Sequence, residues 1–92
     1  MLLAPFVANL AAWHQQAARL MLEVERAEAR GEPKSAPATA VQQLIDTVRN
    51  ERDAFLSKTA ALASSRVEDV AKSFRRLLAD LEHTRERCRI QG

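Results

Sequence analysis

The apolar positions in the first third of the chain fall at Leu3, Phe6, Leu10, Trp13, Ala17, Leu20, Val24 and Ala27. The steps alternate three and four, the period of one stripe on a helix, and a strand cannot produce it. Pro5 suits the first helical turn, where its missing N–H costs nothing. Gly31 stops the run and Pro33 lies just beyond. The pattern predicts a first helix over about 4–30. Phe6 and Trp13 are in phase with Leu10 and Leu20 and read as core. The mixed charges Arg19, Glu23, Glu25, Arg26, Glu28 and Arg30 read as a solvated face.

Residues 31–38, GEPKSAPA, are the one clear linker, long enough to reverse direction between antiparallel helices. Thr39 with Gln42 matches a capping box and opens a second helix over about 39–63. Val41, Leu44, Ile45, Val48, Phe55, Leu56 and Leu62 form its apolar side, and the polar run Arg49 to Asp53 leaves a gap. The final segment repeats the opening rhythm at Val67, Val70, Phe74, Leu77, Leu81, Thr84 and Cys88.

The junction near Ser64 supports two architectures. Ser65 with Glu68, followed by Asp69, is a second capping-box match and predicts a third helix over about 65–89. Yet the junction holds no Gly, Pro or Asn, and the stripe Leu56, Ala60, Ala63, Val67, Val70, Phe74 crosses it in phase. With a break, the chain is all-α: a single domain over 1–92 folded as a three-helix up-down-up bundle. Without one, it is a helical hairpin with one long second helix. Val70, Phe74, Leu77 and Leu81 would then need a second chain, in a dimer of four-helix arrangement.

Composition supports helix over sheet, because Ala, Leu, Arg, Glu and Gln dominate. Apolar content of 47% with 28% charged residues is that of a folded chain rather than a disordered one. A chain of 92 residues buries only about 60–65% of its unfolded surface, so oligomerisation or a partner would relieve a marginal core. The lone Cys88 excludes an internal disulfide and makes a reducing, cytoplasmic setting the expectation. No charge precedes Arg19, but there is no basic n-region, and Asn9, His14, Gln15 and Gln16 interrupt the apolar run. Neither a targeting segment nor a membrane span is expected.

No Ser, His and acid pattern and no Gly-rich phosphate loop is present, so the chain is not expected to be an enzyme. His14, His83 and Cys88 are the soft ligand candidates, but His83 and Cys88 are five apart and do not share a helical face. No metal, cofactor or small-molecule substrate is expected. Arg87 and Arg89 beside Cys88 favour its thiolate, whereas its place on the stripe favours a buried, inert thiol.

The net charge of +2 arises after Ala63, where seven Lys and Arg face five Asp and Glu. Lys72, Arg75, Arg76, Arg85, Arg87 and Arg89 define a nucleic-acid-binding alternative, against which the interleaved acids argue. The surplus of apolar residues is more telling. Met21 lies beside the first stripe, Leu22 opposite it, and Leu78 flanks the last. The expected function is that of a non-enzymatic helical protein–protein interaction module: an oligomerising adaptor, a chaperone-like subunit, or a small regulator or inhibitor. It would act by burying an apolar helical face against a protein partner, itself included, as a homodimer. Met21, Leu22, Phe74 and Leu78 are the expected contacts.

Overall fold

Three helices make up nearly all of the computed structural model, which describes residues 3–90, Ile90 by its backbone alone. They are α1 (Ala4–Arg30), α2 (Ser35–Thr59) and α3 (Ser65–Ile90), with no strand among the described residues. The junction near Ser64 is therefore a break, and the chain takes the three-helix architecture rather than the hairpin with one long helix.

Numbering along the contacts gives the topology. His14 meets Ser73 and Glu28 meets Arg87, so residue numbers rise together and α1 runs parallel to α3. Arg49 meets Glu82 while Gln42 meets Arg85, so α2 runs antiparallel to α3. The result is an up-down-up rod measuring 49 × 18 × 17 Å.

The helix ends follow local chemistry. Pro5 sits in the first turn of α1. Gly31 closes that helix at φ 66°, a left-handed conformation that glycine adopts without a Cβ penalty. Its N–H bonds Glu28 O at 3.3 Å and the Glu32 N–H bonds Ala27 O at 2.9 Å, so two end carbonyls are satisfied in a Schellman turn.

The start of α2 differs from expectation. The helix begins at Ser35, and the connection shrinks from 31–38 to Gly31–Lys34. Thr39 is no cap, since its Oγ1 donates back to Ser35 O at 3.0 Å within the helix. Pro37 lies in the first turn, where no intrahelical N–H is required, so it does not exclude helix there. At the next junction the cap falls one residue earlier than the Ser65 match. Ser64 Oγ accepts from the Arg66 N–H at 3.2 Å, and Ser64 O accepts the first bond of α3, from the Glu68 N–H.

The core is one cluster fed by all three stripes. Phe6 and Leu10 of α1 belong to it with Val41, Leu44, Ile45, Val48 and Phe55 of α2, while Val24 and Ala27 are buried toward the other end of α1. Val70, Phe74, Leu77, Leu78 and Leu81 of α3 complete the cluster. All three phenylalanines, one per helix, meet in a knot. Phe6 stands edge-on to Phe55, with centroids 5.2 Å apart, and Phe74 lies 5.3 Å from Phe55. Edge-on contacts match the positive ring rim to the negative face and contribute about 0.5–1.5 kcal/mol beyond area burial. Trp13 tilts onto Phe74 at 6.2 Å, and Lys58 Nζ lies 5.6 Å from the centroid of the Phe6 ring.

Candidate interaction surface

Of the four expected contact residues, the fold presents only one openly. Phe74 is fully buried at the centre of the aromatic knot and Leu78 is buried beside it. α1 and α2 close over both, so neither is free to meet a partner. Met21 is half-buried, with Arg87 donating to its Sδ at 3.2 Å. Leu22 is 51% exposed and belongs to a face that single-residue reasoning missed.

That face is the outer side of α1. Over residues 4–22, at 3.6 residues per turn, Val7, Ala18, Ala11, Ala4, Leu22, Gln15 and Ala8 fall within an arc of about 100°, and Glu25 and Arg26 stand at its two edges just beyond Leu22. Those within the arc are all exposed, none is charged, and Gln15 alone is polar. Val7 is 52% exposed and matches Leu22, which lies 15 residues further along the same face. At the start of the helix the face runs into an apolar groove lined by Leu3, Ala4, Val7, Ala8 and Val70, with Arg66 and Asp69 on its rim. The signal was present in the sequence as the absence of charge before Arg19.

The six basic residues of the nucleic-acid alternative are not brought into one face. Lys72, Arg75 and Arg76 are exposed on α3, but Asp69 and Asp80 share the groove that Lys72 and Arg76 line with His14 and Ser73. Arg85 turns toward α2 and donates to Gln42 Oε1 at 3.2 Å. Arg87 turns toward α1, where it pairs with Glu28 and lies 3.5 Å from Glu25. Arg89 is exposed and lies 3.9 Å from Glu86.

Arg87 belongs to a network that closes the end of the rod near Gly31. Lys34 has a side chain only 4% exposed, and its Nζ donates to Glu28 Oε2 at 3.1 Å and to Arg87 O at 2.8 Å. The second bond satisfies one of the last carbonyls of α3, where a cation also offsets the helix dipole. The hydrogen bond from Lys34, helped by Arg87, holds the Glu28 carboxyl below its usual range despite partial burial. Cys88 sits beside this network, lining a recess with Lys34, Pro33 and Ala38. Burial pushes its thiol up, outweighing the cations Lys34 and Arg87, which favours the inert thiol of its stripe position over the thiolate of its flanking arginines.

Among the described residues, no three His, Cys, Asp or Glu side chains gather as metal ligands, and no helix is long and apolar enough to cross a membrane. The fold and surface together define a small all-α three-helix bundle with one uncharged helical face. Set against protein-family models, curated proteins and solved structures, the chain matches none.

Proposed function

We propose that this chain is a non-enzymatic protein-interaction module whose contact surface is the uncharged outer face of α1. The observation that carries this is the pairing of Val7 and Leu22, each about half exposed, on a face otherwise built of alanine and one glutamine. Alanines let a second helix approach closely, and the two larger side chains supply most of the apolar area to be buried. Arg19 and Arg26 border the face and would set the orientation of a partner rather than its affinity. The partner that fits is an apolar helical face on a second copy of this chain, in the manner of helix-on-helix recognition.

The test is absolute mass by light scattering at two concentrations, for the wild type, Val7→Glu and Leu22→Glu. Both substitutions are at exposed sites and should change stability by less than about 0.5 kcal/mol. The expected outcome is association that rises with concentration and weakens in each variant while helicity by circular dichroism is unchanged. Association indifferent to both substitutions would remove this face from the function.

A further inference from the structure

The two connections of the bundle are built differently. Gly31–Lys34 stops α1 with a left-handed glycine, carries Pro33, and is anchored by the buried Lys34. Ala60–Ser64 reads Ala-Ala-Leu-Ala-Ser. It has no glycine or proline and no residue of positive φ. Ala60 already holds helical angles, φ −56° and ψ −33°. Alanine and leucine are among the strongest helix formers, so this turn opposes the local preference of its own residues.

The apolar pattern opposes the turn as well. The buried positions Val41, Ile45, Val48, Phe55 and Thr59 of α2 continue, in the same three-and-four rhythm, to Leu62. The buried positions Phe74 and Val70 of α3 continue backward through Val67, Ala63 and Ala60 to Leu56. In the bundle the bend cuts both stripes short, and Leu56 and Leu62 are left 48% and 47% exposed. A straight helix would carry each stripe through without a slip in phase.

We propose that Ala60–Ser64 is a hinge and that the chain pairs with a second copy of itself by exchange: two chains straighten the hinge, swap α3, and form a domain-swapped dimer. Each α3 then packs on α1 and α2 of the other copy through the contacts it makes within one chain, including Phe74 on Phe55, Glu82 on Arg49 and Arg87 on Glu28. Because these contacts are the same in both forms, they cancel, and the hinge and the protein concentration decide the balance. In the dimer, α2, hinge and α3 become one helix of about 84 Å at 1.5 Å per residue. Two such helices run antiparallel and cross at their hinges. There Leu56 and Leu62 meet their counterparts, and Ala60, Ala61 and Ala63 allow close approach. The Ser64 cap on the Arg66 N–H serves only the bent form. This exchange goes beyond the α1 face and does not depend on it.

The test uses His14→Cys with Ser73→Cys in a Cys88→Ser background. The replaced side chains hydrogen-bond at 3.2 Å between α1 and α3. Protein refolded at high concentration is separated by size, oxidised, and run on a denaturing gel without reductant. The expected result is chains joined in pairs from the dimer fraction and chains closed on themselves from the monomer fraction. Ala61→Gly with Ala63→Gly should cut the dimer fraction by more than about tenfold, since glycine disfavours the straight helix and suits the turn. Ser64→Ala should raise it. A dimer fraction whose chains are each closed on themselves would overturn the exchange and point to docking of intact bundles, the outcome that Val7→Glu and Leu22→Glu then test. Protein that stays monomeric at every concentration, with Ser64→Ala included, would overturn it too.

Discussion

At one end of the rod Phe6, Phe55 and Phe74 meet ring to ring; at the other, Glu28 is held between Lys34 and Arg87. The aromatic end joins three helices by area and shape, which are indifferent to ionisation. The charged end joins them by pairing groups that water would otherwise solvate. Such pairing recovers little net energy once desolvation is counted, yet removing one member leaves the others uncompensated. The contrast separates two jobs. The aromatic knot supplies cohesion, and the Lys34 network fixes how the first connection and the end of α3 sit against α1.

The largest expected effect lies at the aromatic end. Phe74→Ala empties the one side chain that contacts Phe6, Trp13 and Phe55 together and should cost about 3–5 kcal/mol in urea denaturation. At the charged end, Lys34→Ala should cost less, about 1–3 kcal/mol, by stranding Arg87 O and loosening Glu28. That loss should vary little with salt, because the side chain is nearly closed to solvent. If Lys34→Ala proves the more damaging of the two, the assignment of cohesion to the aromatic end is reversed.

A smaller effect separates the ends by pH. The Glu28 carboxyl is held below its ordinary value of 4.5, so the unfolded chain binds this proton more readily than the folded one. Its contribution is complete above that value and is lost as pH falls through the lower, folded value. Thermal melts at about pH 7 and about pH 3 should therefore show a larger acid loss for the wild type than for Glu28→Gln, which has no carboxylate there to titrate. Equal losses would mean that another group carries the acid sensitivity.

The aromatic end was legible in the sequence and the charged end was not. Phe6 and Leu10 lie on the stripe that the three-and-four spacing marks, and both are buried. Nothing in the local pattern around Lys34 marks it for burial. Its burial depends on a carbonyl of α3, fifty-three residues away in sequence, which no local pattern encodes. Pro37 falls in the stretch that reads as linker because Gly and Pro mark turns, but in the first turn of a helix proline costs nothing. Phe74 and Leu78 read as contacts for a partner, and the partner proved to be the other two helices of the same chain. The face on α1 was visible as a run without charge, but that it stays exposed followed only once the opposite side of that helix was filled.

Trp13 is the only tryptophan, and the chain has no tyrosine. Its indole is half-buried and leans on Phe74, at the seam between α1 and α3. Near-ultraviolet absorption and emission thus come almost wholly from one ring at one helix–helix contact. When α3 leaves α1, that ring passes into water and its emission shifts to the red. The protein therefore carries its own optical gauge of whether α3 is seated, readable in real time without a label.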